Sequence, residues 1–175
     1  MNLYIAPVTF SNRILLEDIN KSLRKTFRKS ITEINLQIDT DSLYSSERKQ
    51  YYSTGFIEQA IAMAPQINGK ILMLTELDIY VPVLTFLFGE AQLNGKISIV
   101  SVCRLHEEFY SGITNNELLF ERTEKEVLHE LGHNYGLIHC RDWDCVMHSS
   151  NSVEEVDIKG HTYCNNCRTL LGKNL

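Results

Sequence analysis

The stretch HELGHNYGLIHC, residues 129–140, gathers three of the chain's six histidines with a glutamate, a glycine and a cysteine. On a helix, residues four apart share a face with Cβ atoms about 5–6 Å from each other, so His129 and His133 can aim two imidazoles at one metal ion. Glu130 is turned about 100° around the helix from His129, where it would reach a water on the metal rather than the metal itself. Two ligands and a general base at this spacing suit metal-assisted hydrolysis. The bare pattern also arises by accident on helices that merely carry polar residues, so its continuation decides. Gly136, three residues after His133, can take the left-handed conformation that ends a helix. The chain can then reverse and return His139 as a third nitrogen ligand. Three protein ligands with an open fourth position are the form of a catalytic zinc.

Met147 lies eight residues beyond His139. A lone methionine is ordinarily core filler, but this one falls where metzincin peptidases set a methionine turn beneath the metal. A second constellation overlaps the first: Cys140-x4-Cys145 and Cys164-x2-Cys167 form two chelating pairs. Four thiolates so spaced suit one closed, tetrahedral structural zinc. Disulfides, a redox Cys-x-x-Cys and unliganded buried cysteines are the competing readings. A reducing compartment disfavours the first, the polar tail lacks the βαβ unit expected of the second, and the Asn-rich surroundings of Cys164 and Cys167 are not core-like. Cys103 is left over within a candidate strand and reads as a small buried hydrophobe. His106 reads as a surface loop residue and His148 as a turn residue. His161, three residues before Cys164, reads as a bystander, with a supporting partner or a spare ligand of the cysteine site as the alternatives. Arg122 and Lys125, which precede the motif, are expected on a solvated helix face.

These residues need elements to position them. Asn2 to Ala6 reads as a strand ended by Pro7, and Ser11 can cap a helix whose apolar positions Leu16, Ile19, Leu23 and Phe27 follow steps of three and four. Ile34, Leu36 and Ile38 alternate like a half-buried strand. A second helix carries Phe56, Ile57, Ala60, Ile61 and Ala64 and stops at Pro65. Ile71–Leu74 predicts a central strand, Leu84–Phe88 and Ile97–Val102 two more, joined through Asn94-Gly95, a turn signal. The motif helix is expected from about Glu117 to Leu137, with Thr114/Glu117 and Thr123/Glu126 as rival capping boxes. The order β-α-β-α-β-β-β-α, followed by an irregular tail, predicts a single α/β (α+β) domain.

Length and composition bound the rest. A chain of 175 residues most simply forms one domain that can bury a real core. The net charge of −5 and the lack of a basic stripe interleaved with aromatics give no support to nucleic-acid binding; the basic run at 23–29 reads as a solvated helix face. No glycine-rich loop offers a phosphate cradle. The N-terminus lacks a charged n-region before its short apolar stretch, and the longest apolar run, Tyr80–Phe88, is too short to span a bilayer. The expectation is a soluble, cytoplasmic protein that does not bind membranes.

From His129 to Cys167 the chain resembles the archaemetzincins, whose signature joins the extended zinc motif to a cysteine, then Cys-x-Met, then a late Cys-x-x-Cys. Here these read HELGHNYGLIHC, RDWDCVM and CNNC. The likeness extends upstream through Arg48-Lys49-Gln50-Tyr51, LTELDIY, FLFGEA and SVCRL. The loop at 148–163 is one residue shorter than the family's usual spacing, and Ser149 stands where some metzincins carry a tyrosine, so no such tyrosine is assigned. The resemblance implies a compact metzincin-like zincin domain over residues 1–175. Residues 1–137 would supply a twisted mixed sheet and the active-site helix, and residues 138–175 a zinc-stapled C-terminal subdomain. It also implies two zinc ions per chain, a catalytic one on His129, His133 and His139 and a structural one on Cys140, Cys145, Cys164 and Cys167. The expected activity is peptidase action on short peptides by a monomer, with zinc activating a water and Glu130 as the general base. Two rivals stand beside it: a catalytically silent, zinc-stabilised peptide-binding or regulatory protein, and a zinc hydrolase acting on a non-peptide amide or ester.

Overall fold

The computed structural model describes residues 2–174. Its main sheet has the order β2-β1-β5-β8-β7, formed by Ile31–Glu33, Asn2–Pro7, Gly69–Thr75, Ile97–Ser101 and Gly89–Ala91 respectively. All neighbours are parallel except β7, which runs antiparallel to β8 and forms one edge. A smaller sheet pairs β3 (Tyr44–Ser45), β4 (Gln50–Tyr52) and β6 (Ile79–Tyr80). β5 is buried along its whole length because both of its faces are covered. Ile71 and Met73 face α2 (Ser53–Met63), with Phe56, Ile57 and Ala60 against them. Leu72 and Leu74 face the other way, toward α1 (Arg13–Phe27) and α4 (Asn116–Asn134). A parallel sheet with helices on both faces reads as a continuous apolar run, which is what Ile71–Leu74 shows.

Several expectations from the sequence are corrected by long-range contacts. α1 is capped by Asn12, whose side chain accepts the Leu15 N–H at 3.0 Å, because Ser11 is taken up by the Glu76 carboxylate. The alternating Ile34, Leu36 and Ile38 lie outside the strands; the Ile34 N–H donates to Ile5 O at 2.9 Å and the chain then leaves the ladder. Their apolar side chains drape over the α2 side of the core instead. Leu84–Phe88 forms no strand, since the Arg48 guanidinium and the Gln50 amide occupy the Leu84 and Thr85 carbonyls. The edge strand is β7, within what reads as a connection. Cys103 sits half-buried in a 3-10 turn after β8 rather than inside the strand.

The tail is more regular than expected. After the short α3 (Glu108–Ser111) and α4, it forms α5 (Val153–Ile158) and α6 (Asn165–Asn174). Arg122 and Lys125 are buried, not solvated, because α5 packs over them. The Arg122 guanidinium donates from Nε and Nη2 to the two Asp157 oxygens at 2.6 and 2.7 Å, and Lys125 Nζ donates to Val156 O and Asp157 O at 2.8 and 2.7 Å. The latter pair satisfies carbonyls that the end of α5 leaves open.

Candidate active site

α4 is capped by Asn115, whose side chain accepts the Leu118 N–H at 3.0 Å; neither threonine box caps it, and Thr123 lies inside, donating to Leu119 O. The helix stops at Asn134, short of Leu137, because Gly136 takes φ +88°. Gly136 N–H donates to His133 O and Leu137 N–H to Gly132 O, both at 2.9 Å. These are the paired contacts of a glycine-terminated helix end, which satisfy carbonyls that would otherwise be orphaned. The reversal carries His139 back toward His129 and His133. The Lys70 ammonium braces this end by donating to Gly95 O and Asn134 O at 2.7 Å.

One nitrogen from each of His129, His133 and His139 falls within 4.8 Å of the others. His129 Nδ1 lies 2.8 Å from Val146 O, and His133 Nδ1 lies 2.7 Å from Leu137 O. A carbonyl can only accept, so each Nδ1 carries the proton and each Nε2 presents a bare lone pair. Those two Nε2 atoms face each other at 3.1 Å. With burial lowering the pKa of all three imidazoles, most strongly at His129, neither ring readily gains a proton to bridge the gap. Two lone pairs so placed repel unless a cation sits between them. Tetrahedral zinc with Zn–N bonds near 2.0–2.1 Å would set its nitrogens about 3.3 Å apart, so the donor set fits.

Glu130 is buried beside this group. Desolvation, aided by the Glu126 charge, raises its carboxyl well above the usual range, while Lys159 opposes the shift. Strand β7 passes so close that a Cβ at Gly89 would stand 2.6 Å from Glu130 Cγ and 2.7 Å from Oε1. The cleft runs both ways from this contact. One half, of 310 Å³, is lined by Leu84–Phe88 and Ser149–Asn151; the other, of 390 Å³, by Glu90, Ala91, Leu93 and Ile138. Met147 is fully buried under α4, and a Cβ at Gly132 would stand 2.3 Å from its sulfur.

The four cysteines of the tail also converge. Cys140, Cys145, Cys164 and Cys167 place their sulfurs within 4.8 Å of one another, with Cys140 and Cys164 4.0 Å apart. The sulfurs of a tetrahedral zinc with 2.3 Å bonds would be about 3.8 Å apart. Burial pushes the Cys145 and Cys167 thiols up, so gathering four thiolates here calls for a cation. A disulfide would join two sulfurs and give no reason for the other two to approach.

His106 lies in a loop outside the histidine group, and His161 is exposed and outside the cysteine group. His148 stacks on Trp143 at 3.7 Å between ring centroids. In the sequence Glu126 stands out only as half of a capping box, and Lys159 does not stand out at all. The fully shielded Lys159 ammonium meets Glu126 Oε1 at 2.6 Å, one helical turn before Glu130. Lys159 carries no local signal, because its partner is distant in sequence and on another element.

The chain is similar to known proteins over most of its length. The family model of Peptidase family M54 matches residues 18–173. The archaemetzincin of Methanocaldococcus jannaschii is 39% identical over 168 residues, covering 95% of this chain and 90% of that protein. That of Thermococcus kodakarensis is 42% identical over 135 residues, covering 77% and 73%. Among solved structures, the Archaeoglobus fulgidus archaemetzincin, complexed with malonate, superposes with a TM-score of 0.79 at 33% identity over 97% of this chain and 99% of that one. The Methanopyrus kandleri archaemetzincin gives 0.83 at 31% identity over 99% and 94%.

Proposed function

The chain belongs to peptidase family M54 and is a zinc metallopeptidase, and from this premise we propose that it hydrolyses short peptides with Glu130 as the general base. His129, His133 and His139 would hold the catalytic zinc. The observation that carries this reading is the facing pair of unprotonated Nε2 atoms at 3.1 Å, fixed by two carbonyls behind them. When bound, zinc supplies Lewis-acid activation of a water and of the scissile carbonyl.

The protein's own groups do the rest. Val146 O and Leu137 O fix the two imidazole tautomers and ring planes, which makes the nitrogens better ligands. Glu130 accepts a proton from the attacking water on a carboxylate oxygen and returns it to the leaving amine nitrogen. Burial favours the first of these transfers, because the protonated acid is the form a desolvated carboxyl prefers. The outer edge of β7 offers main-chain donors and acceptors to an extended substrate. Its three residues can pair only a short segment, which supports short peptides as substrates.

Cys140, Cys145, Cys164 and Cys167 would hold a second, structural zinc, making two per chain. The same reading treats residues 1–175 as one monomeric metallopeptidase domain, with residues 138–175 as its stapled subdomain, acting in the cytoplasm where thiols stay reduced. Among the described residues no helix is long and apolar enough to cross a membrane. A peptide-library digest read by mass spectrometry tests the function. Cleavage that chelation abolishes and added zinc restores is the expected result. A zinc-loaded protein that leaves every peptide intact while hydrolysing esters or small amides would replace the peptidase reading.

A further inference from the structure

The two halves of the cleft differ in chemistry. Beyond Gly89 in one direction, Ser149, Ser150 and Asn151 add polar groups to the wall. In the other direction the lining is Glu90, Ala91, Leu93 and Ile138 around His133 and His139, and the Glu90 carboxylate is engaged by the Thr54 hydroxyl of α2 at 2.9 Å. Leu93 is 59% exposed and Ile138 70% exposed, although large aliphatic side chains beside a site are more economically buried. Neither sits on a loose segment. Leu93 rides the turn between β7 and β8, where Asn94 takes a left-handed conformation and its N–H donates to His133 O at 2.8 Å. Asn134 Nδ2 donates to Gln92 O at 3.1 Å on the same turn. Ile138 is held between Leu137, whose N–H closes the α4 terminus, and His139. Two rigidly mounted apolar side chains thus face water across a shallow depression that opens directly on the histidines. An exposed apolar patch next to a reactive centre is the mark of a ligand-contacting surface.

We infer that Leu93 and Ile138 form a subsite for a large apolar side chain of the substrate, at a residue flanking the scissile bond on the β7–β8 turn side. The substrates are then peptides with a residue such as Leu, Ile, Phe or Met at that position. This rests on the peptidase reading and adds the selectivity of one side of its cleft. The walls contact substrate without touching the reacting atoms, so they set which peptide is taken rather than how the bond breaks.

The test has a cleavage arm and a binding arm. In the library digest, the wild type enriches large apolar residues at one position beside the cut. Leu93→Ser with Ile138→Ser lowers kcat/KM roughly 10-fold for those peptides, the effect of losing one apolar subsite, and leaves peptides with Gly at that position unchanged. Leu93→Glu shifts the enrichment toward Lys and Arg. In the binding arm, zinc-loaded Glu130→Gln should bind an apolar peptide more tightly than its Gly counterpart, and the two serine substitutions should remove the difference. Cleavage without apolar enrichment, or enrichment that both variants retain, would overturn the subsite. Selective binding with no cleavage would sustain the subsite and reject the peptidase reading instead.

Discussion

At the scale of residues, the proposed chemistry depends on where a few atoms of Glu130 sit, and one of the controls is a missing methyl group. A Cβ at Gly89 would collide with Cγ, Cδ and Oε1 of Glu130 at 2.6 to 2.9 Å. These atoms form the far end of a flexible side chain, so Gly89→Ala can be accommodated by turning the carboxylate away. The substitution also removes unfolded-state freedom worth about 0.4–1 kcal/mol. The thermal midpoint of Gly89→Ala should therefore stay close to wild type while kcat falls by about 10²-fold, the effect of a misplacement near 1 Å. Unchanged kcat would mean that the carboxylate works from another position. The convergence of His129, His133 and His139 beside Glu130 was legible in sequence because one helix and one turn bring them together. Their supports were not. Glu126 meets Lys159 from the far end of α5, and Arg122 meets Asp157 across the same gap, so Arg122 reads as solvent-facing and Lys159 gives no signal until α5 is packed over α4.

At the scale of elements, the reversal after α4 serves both candidate metal groups at once. His139 and Cys140 are adjacent, and Cys140 N–H donates to Met147 O at 2.9 Å while Val146 N–H donates to Thr162 O at 2.9 Å. The segment that carries the third histidine is thus tied to the segment that ends in Cys164 and Cys167. Zinc binding at a closed site is largely folding energy for the chain it closes. Cys164→Ser with Cys167→Ser should speed amide exchange from His148 onward and lower the thermal midpoint, with β1, β5 and β8 keeping their protection. Wild-type protection throughout the tail would deny the cysteine site a structural role. α1, α2 and α4 were visible as periodic apolar patterns, and the central strand as a continuous apolar run. The edge strand was misplaced by a few residues, because Arg48 and Gln50 take the carbonyls of Leu84 and Thr85 from distant positions. The short α5 and α6 lacked a periodic stripe strong enough to predict, since the cysteines and α4 hold them in place.

At the scale of the whole molecule, the sheet and α4 form one wall of the cleft and the tail forms the other. On the proposed reading two donor sets, one open and one closed, hold two zinc ions per chain. Elemental analysis of protein purified without chelator should approach that ratio, and a reproducible value near one would remove the cysteine site from the scheme. A chelator can enter the histidine site through its open position, whereas four thiolates exclude it from the other. Mild chelation should then abolish activity with the fold intact and be reversed by added zinc. Glu130→Gln puts the peptidase scheme to its most direct test, because it keeps the shape of the side chain and every ligand while removing the base. Zinc content and thermal midpoint should match wild type, and peptide hydrolysis should fall by roughly 10²-fold or more, the scale of general-base catalysis. Hydrolysis at the wild-type rate by the zinc-loaded variant would contradict the assignment of Glu130 as the base.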